Sequence, residues 1–142
     1  MKNGSKIFID TAPFIYLLED NPLYSQQVRK YISDCFMAEY DFCTSLLTVA
    51  EYCVVPYRLN CQEKIEYFEQ FILDVNIQLI ELTKEITQLS SQIRAKYSAI
   101  KMIDALQIAT AITENCSAFL TNDKQLQQIQ EINCILIKNL KG

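Results

Sequence analysis

Apolar and polar positions along this chain alternate between a strand-like and a helix-like period. Residues 6–10 (KIFID) form a short apolar, partly β-branched run that predicts a buried strand. Pro13 suits the first turn of a helix beginning at Thr11 or Ala12 and running over 12–19, until Asn21-Pro22 breaks it. Val28, Tyr31, Ile32, Cys35 and Phe36 recur at helical spacing and predict a second helix over 24–39. A short strand is expected near 41–44. Ser45 or Thr48 then caps a helix over about 46–58. Residues 63–73 are amphipathic, with Ile65, Phe68 and Ile72 on one side, and 75–81 alternate like a strand. A helix over 83–97 turns Ile86, Leu89, Ile93 and Tyr97 inward, and a small-residue helix covers 102–114. A strand at 117–121, a short helix at 122–130 and a last strand at 133–137 complete the pattern.

Strands separated by helices indicate an α/β fold with a mainly parallel central sheet. No repeat or linker interrupts it, so 1–142 reads as a single domain. Ligands of such sheets bind at the carboxyl ends of the strands.

Four carboxylates break this pattern. Asp10 interrupts IFIDTAPFIYLL, and Glu51 is the only charge between Phe42 and Tyr57. Asp104 is the only charge in MIDALQIATAIT, and Asp123 closes NCSAFLTND. An isolated carboxylate in apolar sequence is costly to bury without compensation. Each has a local explanation. Asp104 and Asp123 suit the start of a helix, and Asp10 suits an Asx-turn before Pro13. Glu51 lies mid-helix with Leu47, Val54 and Val55 at helical spacing, so it calls for a partner, either a buried Arg or Lys or a shared ion. Together the four favour one compensator, a divalent metal ion. Asp10 ends the first strand and Asp123 follows the strand ending near Thr121, which places both at one edge of the sheet.

Composition narrows the chemistry. The chain has 142 residues, 50% of them hydrophobic, enough for one substantial core. Lys2 and Lys6 before an apolar run imitate a signal peptide, but Asp10 breaks the run and no cleavage pattern follows. A soluble cytoplasmic protein is expected. The 6 cysteines show no C-x-x-C spacing, which argues against a zinc site, and most are expected as small core residues. The absence of histidine excludes His-based triads, general bases and metal ligands. The only glycines, Gly4 and Gly142, cannot build a phosphate-cradling loop. Oxygen ligands alone suit Mg²⁺ or Mn²⁺, and a carboxylate-bound Mg²⁺ serves phosphoryl chemistry. The net charge of −4 equals the four isolated acids, so the remainder is neutral and neither supports nor excludes a nucleic-acid substrate.

The series FIDTAPFIY, LLTVAEY, IDALQIATA and FLTNDKQL, in that order and spacing, resembles the PIN-domain nucleases, and within them the small VapC-like toxins. The match covers nearly the whole chain. It implies a PIN-like three-layer α/β/α fold and a Mg²⁺/Mn²⁺-dependent endoribonuclease cutting single-stranded or looped RNA to leave a 5′-phosphate and a 3′-hydroxyl. It implies Asp10, Glu51 and Asp104 as the main acidic cluster and metal ligands, completed by Asp123. Thr11, Thr121 and Asn122 would orient these acids or the substrate. A homodimer and a cognate antitoxin, whose tail fills the groove, are further implications. The chain departs from the family in lacking a basic excess and in carrying Ile103 before Asp104. Arg94, Lys96, Lys101 and Lys124 are the candidate phosphate contacts. Two alternatives compete. One is a catalytically silent PIN-like module that binds RNA or protein. The other is a Mg²⁺-dependent phosphatase or receiver, but the D-x-D of haloacid-type phosphatases is missing because Thr-Ala follows Asp10.

Overall fold

The computed structural model describes residues 4–141, so Lys2 and Gly142 lie outside the described residues. Five parallel strands form one sheet: β1 (Lys6–Ile9), β2 (Asp41–Ser45), β3 (Ile77–Ile80), β4 (Ala118–Thr121) and β5 (Cys134–Leu136). Their spatial order is β3-β2-β1-β4-β5. The chain builds outward from β1 on one side, then returns to build outward on the other. The switch point therefore lies between β1 and β4, where the sheet opens a crevice at its carboxyl edge.

Helices cover both faces. Those of the first half are α1 (Thr11–Leu18), α2 (Ser25–Met37), α3 (Leu46–Tyr52), α4 (Val54–Arg58) and α5 (Gln62–Asp74). The second half contributes α6 (Lys84–Lys96) and α7 (Met102–Thr113). Alternation along the strands decides which layer each side chain joins. Ile7 and Ile9 of β1 pack with Phe14 and Leu17 of α1, Val28 and Ile32 of α2, and Ile65, Phe68 and Ile72 of α5. Phe8, between them, faces the opposite core with Ile86 and Ile93 of α6, Ala105, Ile108 and Ala109 of α7, and Phe119 of β4. The alanines of α7 let that helix lie close to the sheet, and the three-layer α/β/α arrangement follows.

Most elements match their expected positions. The helix expected over 46–58 is two pieces, α3 and α4, with a break at Cys53 (φ −75°, ψ −7°). Pro56 has no N–H to offer the carbonyl of Tyr52, so the ladder stops there and restarts. Ser45 is the cap of α3, accepting the Leu47 N–H, whereas Thr48 is buried in the interior. The helix expected over 122–130 is a 3-10 turn, Lys124–Gln128, and a second such turn, Ile137–Asn139, follows β5. Scarcity of glycine has a visible consequence. Asp20, Glu39, Asn60, Asn76 and Asn115, just beyond the ends of α1, α2, α4, α5 and α7, take the left-handed conformation that glycine usually takes there. The six cysteines are free thiols, with Cys35, Cys43 and Cys53 buried. Among the described residues no helix is long and apolar enough to cross a membrane.

Candidate functional site

The last residue before α1 is Asp10, at the carboxyl end of β1. Its backbone N–H continues the sheet by donating to the Leu120 carbonyl at 3.0 Å. Its carboxylate is only 9% exposed yet has no Lys or Arg partner among the described residues. Neutral donors hold it instead. Oδ1 accepts the Thr11 N–H at 2.9 Å and the Gln107 amide at 3.4 Å, and Oδ2 accepts the Thr121 hydroxyl at 2.8 Å. Burial pushes the Asp10 carboxyl above its ordinary range, and these hydrogen bonds oppose that rise.

The other three acids face the same place. Asp104 sits in the first turn of α7, half-buried. Its carboxyl is pushed up to about 6, first by burial and then by the like charges of Asp10, Asp123 and Glu51. Asp123 starts the 3-10 turn with Oδ1 on the Gln125 N–H at 3.0 Å, so its local capping role is real. Glu51 differs from expectation. It does not project from a buried apolar face, because Glu51, Val54 and Val55 are all exposed. Past the break, Val55 and Pro56 of α4 still lie with Glu51 and Tyr52 of α3 along one open cleft. Glu51 Oε1 instead accepts the Thr11 hydroxyl at 2.6 Å, at the rim of the crevice.

Of the orienting residues expected, Thr11 holds Glu51 and Thr121 holds Asp10. Thr121 also accepts the Asp123 N–H at 3.2 Å, which links the two ends of the site. Asn122 is occupied with local packing, donating to the Tyr16 hydroxyl at 3.3 Å and accepting the Lys138 N–H at 3.2 Å. Two polar residues were not anticipated here, Ser45 as more than a cap and Gln107. Both are buried and hydrogen-bonded to one another beneath the acids.

The basic candidates divide. Arg94 donates to the Ile100 carbonyl at 3.2 Å and so braces the turn before α7, and Lys96 pairs with Glu131 at 3.3 Å. Lys101 and Lys124 are exposed and form no ion pair among the described residues. Lys101, Asp104, Asp123 and Gln125 line a cleft of ≈ 240 Å³, which puts a cation at the border of the acids. The thiols are poor nucleophiles. Cys43 is pushed up by its contact with Cys116 (Sγ to Sγ 3.4 Å) and by burial, and Cys134 is raised by burial to about 12.

These donors suit a hard cation. All are oxygens, and Asp10 is held by groups that leave its negative charge uncompensated. Among the described residues no three acidic or sulfur side chains converge closely enough to enclose a bare ion. Mg²⁺ rarely needs such a cage, since it keeps several waters and takes one or two carboxylates.

The like charges have a stability consequence without metal. A carboxyl whose folded pKa is raised from 3.8 to about 6 favours the folded state fully below pH 4. That contribution is lost as pH rises through about 6. Asp104 is half solvated, so screening reduces the effect to about 1 kcal/mol. Asp104→Asn is therefore expected to raise the melting temperature of metal-free protein at pH 7 by about 2–4 °C. At pH 4 the gain should vanish, and a pH-independent difference would contradict the electrostatic cause.

The PIN domain family model matches residues 7–132. Among curated proteins no relative is found. Solved structures share the fold at low identity. VapBC2 from Rickettsia felis, bound to a promoter DNA fragment, has a TM-score of 0.78 at 15% identity, covering 92% of this chain and 98% of that one. FitAcB from Neisseria gonorrhoeae has a TM-score of 0.74 at 20% identity, covering 94% and 99% respectively. VapC20 from Mycobacterium tuberculosis, a Sarcin-Ricin loop cleaving toxin, has a TM-score of 0.65 at 13% identity, covering 89% and 98%.

Proposed function

This chain belongs to the PIN domain family, and from that premise we propose that it is a Mg²⁺- or Mn²⁺-dependent endoribonuclease, the toxin of a type II toxin–antitoxin pair. One observation carries the reading. Asp10, Glu51 and Asp123 all bear electrostatically on Asp104 at the switch point of the sheet, with Lys101 alone opposing them from the border and none of the four acids in an ion pair among the described residues. Such a cluster is unfavourable unless a ligand with positive charge joins it.

Asp10, Asp104 and Asp123 would hold the ion, with Glu51 at the rim. A bound divalent cation supplies charge neutralisation for phosphate oxygens and activation of water. The chain's own groups do the rest. Thr11 fixes the Glu51 carboxylate, which is exposed enough to orient an attacking water and accept its proton. Thr121 and the Thr11 N–H fix Asp10. Lys101, which lines the cleft with Asp104 and Asp123, and Lys124, next to Asp123 in sequence, are exposed and without ion pairs among the described residues, and would meet the phosphates flanking the scissile bond. The choice of RNA as substrate is supported by the likeness to VapC20, a Sarcin-Ricin loop cleaving toxin. The antitoxin partner is supported by the VapBC and FitAB structures that share the fold, and the homodimer is carried over from the family resemblance alone. A cleft lined by Ile15, Tyr52, Val55 and Pro56 also borders Glu51, where an apolar antitoxin segment would block the site.

The test is cleavage of a panel of structured RNAs with Mg²⁺ or Mn²⁺, against EDTA. Cutting that requires the metal is expected. If the protein neither cuts nor binds Mn²⁺ in calorimetry, a silent binding module replaces the nuclease.

A further inference from the structure

The side-chain amide of Gln107 has a defined orientation. Its Oε1 accepts the hydroxyl of Ser45, whose own oxygen is held by the Leu47 N–H at 3.1 Å at the start of α3. With Oε1 so committed, Nε2 faces the other way. It donates to Thr48 Oγ1 at 2.8 Å and to Asp10 Oδ1 at 3.4 Å. The Thr44 and Thr48 hydroxyls lie 2.7 Å apart, and Thr44 also bonds the Ile9 carbonyl at 2.6 Å. A hydroxyl has one proton, so Thr44 gives its own to Ile9 and receives that of Thr48. Every group in this relay has one direction, running from the α3 cap to the end of β1.

Gln107 is fully buried, at 0% exposure, in a helix segment otherwise built of Ala, Leu, Ile and Thr. An apolar residue there would avoid the cost of desolvating an amide. Its contacts show what the amide serves. Gln107 lies three residues after Asp104 on α7, and Thr48 lies three residues before Glu51 on α3. Each is one helical turn from an acid. A single side chain thereby ties both acid-bearing helices to each other and touches the third acid directly. It does so as a neutral donor. A lysine or arginine in its place would cancel the charge that a cation needs, whereas the amide orients Asp10 and leaves Oδ2 with only the Thr121 hydroxyl.

We propose that Gln107, oriented by Ser45, is a positioning residue that fixes Asp10 relative to Glu51 and Asp104 for divalent-cation binding; this rests on the metal-dependent reading above. The effect would resemble that of other groups that orient metal ligands from behind, whose loss typically weakens metal affinity about 10–100-fold.

The experiment is Mn²⁺ titration calorimetry on the full chain, with thermal melts of each variant. Gln107→Met is expected to weaken Mn²⁺ binding at least about tenfold. Ser45→Ala, which touches no carboxylate, should weaken it by a smaller factor, because the amide is then free to turn. Thr110→Val is the control. Thr110 is equally buried on α7, but its hydroxyl bonds only the Leu106 carbonyl. That variant should lose stability and keep its Mn²⁺ affinity. Folded Gln107→Met with affinity within about twofold of the unsubstituted chain overturns the inference. If Gln107→Met does not fold, Ser45→Ala decides, and unchanged affinity in it overturns the inference equally. Equal weakening in Thr110→Val reduces Gln107 to a structural residue. Absence of Mn²⁺ binding by the unsubstituted chain is a separate failure, of the metal reading itself, and takes this inference with it.

Discussion

Asp10→Asn is expected to abolish RNA cleavage while leaving the fold intact. Asparagine keeps an oxygen for the Thr11 N–H, which Asp10 Oδ1 now accepts at 2.9 Å. Its amide nitrogen would then face Thr121, whose hydroxyl accepts as readily as it donates. Both anchoring contacts therefore survive, and only the charge is lost. Since burial already disfavours the Asp10 carboxylate, removing its charge should leave the melting temperature of metal-free protein unchanged or higher. Groups that merely orient a metal ligand are worth about 10–100-fold, so loss of a ligand should exceed that and lower the cleavage rate more than about 100-fold. The measurements are single-turnover cleavage with saturating Mn²⁺ and a melt in EDTA. Cleavage within about tenfold of the unsubstituted protein, with the fold retained, would remove Asp10 from the reaction.

How far this site could be read from sequence depended on charge. Asp10, Asp104 and Asp123 were legible because a lone acid in an apolar run is conspicuous, and because Asp10 and Asp123 follow strands whose pattern is plain. Their local explanations also held. Asp123 does cap a turn and Asp104 does occupy a first helical turn, yet Asp104 remains within electrostatic reach of both Asp10 and Asp123. Capping and clustering are compatible, because helix starts gather at the carboxyl edge of a parallel sheet. For Glu51 the expected helix is right and the expected apolar burial is not. Helical spacing does bring Val55 beside Glu51 along one cleft, but apolar spacing alone does not decide burial, and Glu51, Val54 and Val55 are all exposed. Gln107 was missed because an amide carries no charge signature. Its trace in the sequence was weak, one polar residue among Ala105, Leu106, Ile108 and Ala109. Asn122 failed for the opposite reason. It lies beside the site in sequence, but its two hydrogen bonds turn it toward Tyr16 and Lys138. The parallel strands were legible as short apolar runs, whereas their order was not, since pairing across the sheet is set by packing of both layers together.

Phe119→Ala is expected to cost about 3–5 kcal/mol of stability, the range for deleting a buried aromatic. Phe119 lies opposite Phe8 in the β1–β4 pair, and their rings stack with centroids 4.9 Å apart and planes within 4°. Both are wholly buried against α7, where Ala105 and Ala109 have no bulk with which to fill the space. A domain of this size holds only about 5–15 kcal/mol in total, so the melting temperature should fall on the order of 10 °C. Tyr57→Ala, at a residue 64% exposed, should change stability by less than about 0.5 kcal/mol. A cost below about 1 kcal/mol for Phe119→Ala would mean that the layer repacks and that the stack contributes little. The same variant also probes the site from outside. Phe119 is two residues before Thr121 and touches none of the four acids by hydrogen bond, so its native state should still bind Mn²⁺. At about 100 times its dissociation constant the ion should return about 2.7 kcal/mol to the variant by mass action. Asp10→Asn should gain nothing from the same addition. Core damage and site damage are thus separable by one titration: the first lowers stability that the metal restores in part, and the second leaves stability intact and the metal without effect.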